Sequence, residues 1–412
     1  MLSILPMHNP IQNYAWGSRE KLATFLGYST PPADPLAELW MGAHPSAPSQ
    51  VYTQGRWVQL DELIQQSPDR LLGKKNTERF GPHLPFLFKV LAVDRPLSLQ
   101  VHPNAKQAWA GYQKEEALAV APASAERSYK DPNPKPECIC ALEPFWGLNG
   151  FRPPEEIERW FAWLAPKALR PELDILDREE GPEALSGMLE SLLHMEPRRR
   201  VEVLEHARSR VEEESELNRQ DPRYWMAVLL AEHPGDIGAL APVFLQLMHL
   251  SPGQAAFLPP GRLHAYLSGL GLEIMANSDN VLRAGLTSKH IDVQELLKTM
   301  DFDRPEQGAL EPVPGGGGWF AYPSFTEEFV LSGFELGPGC PRFEASLTGI
   351  SILLCVQGEL EISDQQSGEG IRLVQGQSVC IPGCVQSWTA SGRGRAYVAE
   401  TGVNLGSSFP DR

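Results

Sequence analysis

Apolar and polar positions change their spacing twice along the chain. Short apolar runs such as residues 86–93, divided by segments rich in Pro and Gly, fill the first 150 residues and predict antiparallel β-strands. From Pro153 onward the spacing is helical, with apolar side chains at i, i+3, i+4, i+7 and i+8 in one stripe: Leu185, Met188, Leu189, Leu192 and Leu193. Strand-like runs return near residues 243–248 and again between 350 and 399.

This pattern predicts a mainly β fold that is interrupted by helices. We expect residues 1–152 together with 239–310 to form one β domain, residues 153–238 a helical insertion, and residues 319–412 a C-terminal jelly roll. The Gly-rich run at 312–318 has few side chains to pack and is expected to be an exposed loop or linker. Because the last histidine of the chain is His290, the C-terminal jelly roll is expected to be structural, without a metal site.

The composition narrows the class of protein. A formal net charge of −16 argues against a surface for nucleic acid or anionic membranes, where Lys and Arg should dominate. No apolar run is long enough to span a bilayer. The six cysteines lie mostly in apolar runs, as is typical of reduced, buried thiols, and the N-terminus shows no signal peptide, so we expect a cytoplasmic protein. An anionic small molecule would have to be attracted by local positive charge.

One strand-like segment, residues 97–102, carries the most informative side chains. Successive side chains of a strand alternate between its faces, which places Ser98, Gln100 and His102 on one face and apolar side chains on the other. The apolar face can be buried while the polar face presents an amide oxygen and an imidazole to a cavity. The segment is therefore suited to hold a metal ion, if other ligands complete the site.

Two further segments supply such ligands. Glu137 follows three prolines at the start of an apolar run, and His264 and Tyr266 alternate with apolar residues in a later run. One amide oxygen, two imidazoles and one carboxylate are suitable ligands for zinc and leave room for a water or a substrate oxygen. No two of these residues have the close spacing of a zinc finger, so spacing alone indicates the metal only weakly.

Seven blocks of sequence resemble those of type I mannose-6-phosphate isomerases, also called phosphomannose isomerases. They are NYAWGS at 13–18, AELWMGAHP at 37–45, PFLFKVL at 85–91, PLSLQVH at 96–102, KPE at 135–137, HAYLSG at 264–269 and NSDNVLRAGLT at 277–287. Their single colinear order over roughly the first 290 residues is far more specific than any one short motif. The resemblance implies two cupin-like jelly-roll β-barrels with an inserted α-helical domain, and it implies that the first barrel, residues 1–152 together with 239–310, is the catalytic domain.

The same resemblance implies a site and a reaction. One zinc ion per chain would be held by Gln100, His102, Glu137 and His264, with an active-site arginine at Arg283. The reaction would interconvert mannose 6-phosphate and fructose 6-phosphate by proton transfer through an enediol(ate), which feeds mannose into glycolysis or supplies mannose 6-phosphate for GDP-mannose synthesis. We expect a hexose 6-phosphate as the substrate, no nucleic acid or membrane partner, and a monomer.

Residue chemistry suggests roles within this reaction. A guanidinium cannot carry the proton because its pKa is too high, so Arg283 is assigned to stabilise the enediolate charge. Proton transfer is assigned to Glu273, whose apolar flanks would raise its pKa, or to Lys135, whose pKa a nearby Zn²⁺ would lower. Asp279 is assigned to ring opening or orientation. The candidates for substrate binding are Lys89, Ser98, Tyr266, Lys289 and Trp16, although packing is the more common role of such a tryptophan.

The sequence departs from the family pattern at two positions and leaves two other functions open. Pro134 stands where family members often have histidine, so an indispensable proton-transfer role of that histidine is not expected here, and Ser288 replaces a usual proline. The same ligands could hold iron in a cupin oxygenase. A non-catalytic sugar-phosphate-binding cupin is the other alternative. Single histidines are more often core or surface residues than ligands, which is the expectation for His44, His83, His194, His206, His233 and His249.

Overall fold

The computed structural model describes residues 2–121, 124, 127–214, 216–303, 308–340, 342–346 and 349–405. Several positions of the predicted β regions lie outside these described residues: 1, 122–123, 125–126, 304–307, 341, 347–348 and 406–412.

The apolar runs become strands of two antiparallel sheets. The strands that precede the helical region are β1 (Leu5–His8), β2 (Ile11–Gln12), β3 (Glu38–Gly42), β4 (Gln50–Thr53), β5 (Arg56–Gln59), β6 (Phe86–Val93), β7 (Leu99–Val101), β8 (Glu137–Ala141) and β9 (Phe145–Phe151). Those that follow it are β10 (Leu245–Leu250), β11 (Ala255–Leu258), β12 (His264–Ala276), β13 (Leu282–Gly285), β14 (Val313–Pro314), β15 (Trp319–Ala321) and β16 (Val330–Leu336). The last strands are β17 (Arg342–Ser346), β18 (Ser351–Asp364), β19 (Gly370–Val374), β20 (Ser378–Ile381) and β21 (Ser387–Glu400).

Helices occupy the segment where the spacing of apolar residues is helical. Five of them follow one another there: α6 (Pro154–Leu164), α7 (Arg170–Arg178), α8 (Gly181–Leu193), α9 (Pro197–Glu212) and α10 (Pro222–Glu232). The others are short or peripheral: α1 (Lys21–Phe25), α2 (Leu60–Gln66), α3 (Pro68–Leu72), α4 (Lys74–Phe80), α5 (Ala105–Ala117), α11 (Ala241–Phe244) and α12 (Val293–Thr299). Single 3₁₀ turns are formed by Ile237–Leu240 and Gly402–Leu405.

The helices pack on the back of the strand β7. Leu99 and Val101 belong to the same buried core as the apolar faces of α6, α8 and α10, which include Phe161, Met188 and Leu229. Each fully buried side chain of this size contributes about 1.5–3 kcal/mol relative to an exposed one. The neighbouring residue on β7, Gln100, is only partly buried on the opposite face. The alternation of apolar and polar side chains predicted for this strand therefore places its apolar face in the core.

The strands form two sheets, and the first and last strands of the chain belong to the same one. One, which we call the site sheet, has the order β10-β9-β12-β6-β3-β2, with β8 and β7 also paired to β12, β11 to β8, and β13 to β7. The other has the order β14-β15-β16-β21-β18-β20-β1-β4-β5, with β17 on β21 and β19 on β18. The prediction of a mainly β fold is confirmed.

The first strand joins the sheet formed by the last part of the chain. In this pairing Leu5 lies opposite Cys380, and β4 and β5 extend the same sheet beyond β1. Residues 5–8 and 50–59 thus contribute strands to the sheet of the C-terminal region, although they lie within the predicted catalytic domain. The predicted boundaries between domains stay a prediction.

The Gly-rich run at 312–318 is exposed, as expected of a loop, but it is not without regular structure. Val313 and Pro314 form β14 and pair with Ala321 and Phe320 of β15. The run therefore includes one strand and the turn of a short hairpin. Such a hairpin can form without packed side chains, because its strands pair through backbone hydrogen bonds.

Candidate active site and metal centre

Four strands of the site sheet bring the candidate residues together. In the register of β7, Gln100 lies opposite His264 of β12 on one side and opposite Arg283 of β13 on the other. Glu137, at the start of β8, lies opposite Leu258 and Met275. Residues separated by more than 160 positions therefore meet because the strands that carry them are neighbours.

Three of the predicted ligands form one compact group. His102, Glu137 and His264 each offer a ligand atom, and these atoms all lie within 4.8 Å of one another. The Nε2 atoms of His102 and His264 lie 3.2 Å from Oε1 and Oε2 of Glu137, respectively. All three side chains are at most 2% exposed. The group is buried deeply enough that unpaired polar atoms in it would be unfavourable.

Each imidazole is oriented by a backbone carbonyl. Nδ1 of His102 lies 2.8 Å from the carbonyl oxygen of Asn280, and Nδ1 of His264 lies 2.8 Å from that of Arg262. Because a carbonyl only accepts, each Nδ1 carries the proton and donates it, which leaves the lone pair on Nε2. Histidines that bind metal ions are commonly oriented in this way, by a hydrogen bond from the ring nitrogen that does not contact the metal.

The atoms that face one another in this group lack partners. Nε2 of His102, Nε2 of His264 and Oε2 of Glu137 are buried without a hydrogen bond. Two imidazole nitrogens and a carboxylate oxygen converging on one point fit a divalent ion with mixed nitrogen and oxygen ligands, as zinc prefers. Gln100 is adjacent in the sheet register to His264 and could supply an amide oxygen as a fourth ligand.

Charges in the group favour the ligating protonation states. Burial, followed by the nearby charge of Lys135, lowers the pKa of His102 to about 4, so its imidazole is neutral. Burial alone would raise the pKa of Glu137, but the nearby charge of Lys135 outweighs it and holds this pKa well below its ordinary value. Nζ of Lys135 lies 3.0 Å from Oε1 of Glu137. The carboxylate is therefore ionised and oriented.

A second buried cluster surrounds Lys89 on β6. Its Nζ donates to Oε2 of Glu273 at 2.9 Å and lies 3.6 Å from Oε2 of Glu38. Trp40 donates its indole N–H to Glu38, and Tyr266 donates its hydroxyl to Oε1 of Glu273 at 3.0 Å. These contacts occupy both oxygens of the Glu273 carboxylate, which is almost completely buried.

Burial and neighbouring charges shift the pKa values of Lys89 and Glu273 in opposite directions. Burial alone would lower the pKa of Lys89, but Glu273 and Glu38 outweigh it and raise this pKa above its ordinary value, so the lysine is charged. Burial raises the pKa of Glu273 despite the opposing effect of Lys89. Burial and the charge of Glu273 raise the pKa of Tyr266, so its phenol is neutral and available as a donor.

A cavity of about 800 Å³ opens beside the metal-ligand group. Six of the predicted residues line it: Trp16, Ser98, Gln100, Asp279, Arg283 and Lys289. Lys89, Tyr266 and Glu273 lie instead in the buried cluster described above. The structure thus divides the predicted residues into a cavity wall, a metal-ligand group and a buried cluster, whereas their individual roles stay predictions.

Arg283 is a partly buried cation of the cavity wall. No carboxylate of the described residues lies within 4 Å of its guanidinium, unlike Arg95, which pairs with Glu232 at the same cavity. Burial lowers the pKa of Arg283, and its charge in turn lowers the pKa of Lys289. A partly buried guanidinium next to a second cation is suited to bind an anion.

The sequence alone missed several residues of the site. Glu38 and Trp40 share one face of β3, and the signal that singled out Lys89, a charge inside an apolar run, also applies to Glu38. Lys130 lines the cavity, and Asn280 orients His102 through its carbonyl. The roles of Lys130 and Asn280 depend on loops brought together by the fold, for which no local pattern exists.

None of the helices in the described part of the chain combines the length and the apolarity that a bilayer crossing requires.

Comparison with known proteins places these features in context. A profile of the catalytic domain of type I phosphomannose isomerases matches residues 4–154. The chain is similar to mannose-6-phosphate isomerase of Escherichia coli, with 38% identity over 94% of this chain and 97% of the relative. It is also similar to the enzyme of that name from Homo sapiens, with 34% identity over 90% and 92% of the two chains. A crystal structure of mannose 6-phosphate isomerase with zinc bound superposes with a TM-score of 0.89 at 36% identity, covering 97% of this chain and all of the other.

Proposed function

The chain belongs to the family of type I mannose-6-phosphate isomerases, and on this premise we propose that it is a zinc-dependent isomerase that interconverts mannose 6-phosphate and fructose 6-phosphate. Relatives with this name match nearly the whole chain, and a similar solved structure holds zinc. The observation that carries the proposal is the group of three buried ligand atoms without partners at His102, Glu137 and His264.

The proposed ligands are Gln100, His102, Glu137 and His264. When bound, zinc supplies a Lewis acid that polarises an oxygen of the sugar. The chain itself contributes the two carbonyls that orient the imidazoles and the lysine that keeps Glu137 ionised. These contacts fix the ligand atoms before a substrate enters.

The isomerisation moves a proton between C2 and C1 of the open-chain sugar while negative charge develops on the neighbouring oxygens. We propose that Arg283 stabilises this charge, because it lines the cavity and lacks an acidic partner in the described structure. A fixed cation in a partly buried site stabilises the charge of such a transition state more strongly than a cation in water does. Lys289, Ser98 and Trp16 share the same wall and are the proposed contacts of the remaining sugar and phosphate groups.

For the proton transfer we propose Glu273 as the base, with Lys135 as the alternative. Burial raises the pKa of Glu273 towards the range that a general base requires, and Lys89 and Tyr266 hold its two oxygens. Lys135 instead adjoins the ligand Glu137. Deuterium incorporation from D₂O in Glu273→Gln, with bound zinc measured alongside, tests the assignment. Loss of isotope exchange at C2 together with isomerisation, at unchanged zinc content, supports Glu273 as the base, whereas retention of both moves the role to Lys135. Lys135→Met is less informative, because it would also remove the charge that keeps Glu137 ionised.

The proposed reaction has two metabolic uses. It passes mannose 6-phosphate to glycolysis as fructose 6-phosphate, or it runs in reverse to provide mannose 6-phosphate for GDP-mannose synthesis. We further propose a monomer in solution, which the strongly acidic charge of the chain favours by mutual repulsion.

A coupled assay on mannose 6-phosphate tests the proposal. We expect turnover without dioxygen, loss of turnover with a chelator and recovery with zinc. An iron oxygenase would require iron and dioxygen, and a non-catalytic sugar-phosphate-binding protein would bind the substrate without turnover. A requirement for iron and dioxygen, or binding of mannose 6-phosphate without turnover, would contradict the proposal.

A further inference from the structure

A buried histidine outside the metal-ligand group contacts a residue of the cavity wall. His44 follows β3 and is 5% exposed, with its ring packed edge-on against Trp40 at a centroid distance of 4.9 Å. Its Nε2 lies 3.5 Å from Oδ2 of Asp279, which is half exposed and lies in the segment that follows β12. The sequence predicted a core or surface residue without a functional contact. The structure shows that this histidine is buried and contacts the carboxylate of Asp279.

The contacts of His44 fix which ring nitrogen carries the proton. The backbone N–H of Ser46 points to Nδ1 of His44 at 3.3 Å, and an N–H can only donate. Nδ1 is therefore the acceptor, and in the neutral ring the proton resides on Nε2. That N–H lies next to the Asp279 carboxylate, so His44 presents a donor to it.

Asp279 occupies a distinctive position between two cavities. It lines the cavity of about 800 Å³ that contains Arg283, and it also lines a second cavity of about 500 Å³ that contains His44. Its backbone N–H donates to Oδ2 of Asp131 at 2.8 Å, which fixes the main chain. Within the described structure, Oδ1 of Asp279 has no hydrogen-bond partner, so this oxygen is available to a ligand.

The charged groups around Asp279 come from several elements. Lys130 and Lys135 attract it from the segment that precedes β8, whereas Asp131 in the same segment repels it, and Tyr14 lines the same cavity. The contact with His44 is the largest of these influences and lowers the pKa of Asp279 to about 2. His44 is therefore the neighbour that most affects this carboxylate.

We propose that His44 is a positioning residue for Asp279: its Nε2–H binds one carboxylate oxygen and thereby directs the other towards a hydroxyl group of the hexose 6-phosphate. The inference rests on the proposed function and adds a residue to it. Without His44, the carboxylate of Asp279 can rotate about its side-chain bonds, and the substrate loses an oriented acceptor.

A double-mutant cycle tests this arrangement through kcat/KM for mannose 6-phosphate. We expect His44→Leu to lower kcat/KM roughly 10- to 100-fold, the effect of losing one hydrogen bond to a charged group. His44→Gln should stay within about threefold of the wild type, because its amide N–H₂ lies at about the position of Nε2, whereas the shorter side chain in His44→Asn should not reach Asp279. In the Asp279→Asn background, His44→Leu should cause less than about a twofold further loss, since interacting residues are not additive.

The control is His83→Leu, which changes an exposed histidine that lines the same second cavity as His44. It should leave kcat/KM within about twofold. Bound zinc and the unfolding temperature of every variant show whether His44→Leu has failed to fold, in which case the pair His44→Gln and His44→Asn provides the comparison. Independent, additive losses, an unaffected Asp279→Asn or a failed rescue by glutamine would overturn the inference. A wild-type protein that does not isomerise mannose 6-phosphate would instead overturn the proposed function.

Discussion

Removal of the metal ion should destabilise the protein through three identifiable atoms. Nε2 of His102, Nε2 of His264 and Oε2 of Glu137 are buried without partners. Leaving one such atom unsatisfied costs about 1–3 kcal/mol, so three of them represent roughly 3–9 kcal/mol that a bound ion can offset. Zinc at about 1,000 times its Kd would contribute about 4 kcal/mol of stability, which lies within that range. For a chain of this length that corresponds to an upward shift of about 5 °C in the unfolding temperature.

Calorimetry of the chelator-treated protein, with and without added zinc, measures this shift. In His264→Leu the leucine replaces one unpaired nitrogen by apolar volume, so the metal-free variant should unfold within about 2 °C of the metal-free wild type, while its response to zinc should nearly vanish. The control His206→Leu, an exposed histidine on α9, should keep the full response. An equal response to zinc in His264→Leu and the wild type would show that these residues do not hold the ion.

Three further outcomes follow from the same structure. Glu273→Gln should lower kcat at least about 100-fold if Glu273 is the base, measured in the coupled assay, and near-native turnover would move the role to another residue. Arg283→Gln should lower kcat/KM by about 10²–10³, the range for loss of one oriented donor to a developing oxyanion. The control Arg208→Gln, which changes an exposed arginine on α9, should have no effect. Burial raises the pKa of Glu400 from its ordinary value to about 7. Glu400 therefore adds roughly 3 kcal/mol of stability below about pH 4.5, and this contribution is lost as the pH rises through about 7. In Glu400→Gln, the free energy of unfolding measured with denaturant should depend less on pH in this window. A slope equal to that of the wild type would contradict the assignment.

The sequence could predict those parts of the site that depend on a single strand. Alternation in residues 97–102 places Gln100 and His102 on a polar face because Leu99 and Val101 must be buried, and the structure buries both. The helical spacing of Leu185 to Leu193 likewise predicts α8, on which four of the five apolar residues are buried. Local periodicity is sufficient in both cases, since the direction of each side chain follows from its position in one element.

The parts that the sequence could not predict depend on distant pairings. The pairing of Leu5 with Cys380 joins the first strand to the sheet of the C-terminal region, and no property of either segment specifies the other. The same holds for His44 and Asp279, whose contact exists only because β3 and the end of β12 both pair with β6. A lone histidine has no neighbour in sequence that indicates its partner, so the general expectation of a core or surface residue was the only one available.

The buried charges indicate how an acidic protein could bind the anionic substrate that we propose. Near the candidate metal centre, Lys89 and Lys135 face three carboxylates, those of Glu38, Glu137 and Glu273, so two positive charges meet three negative ones. The resulting charge of −1 would repel a sugar phosphate, as would the net charge of −16 of the whole chain. A divalent ion changes the local sum to +1, and because these groups are screened less than exposed ones, this change in sign acts at short range where the substrate binds. A divalent ion held by these residues would therefore have an electrostatic role that is separate from the polarisation of a sugar oxygen. It would make the local charge positive, and Arg283 and Lys289 on the cavity wall would add to it.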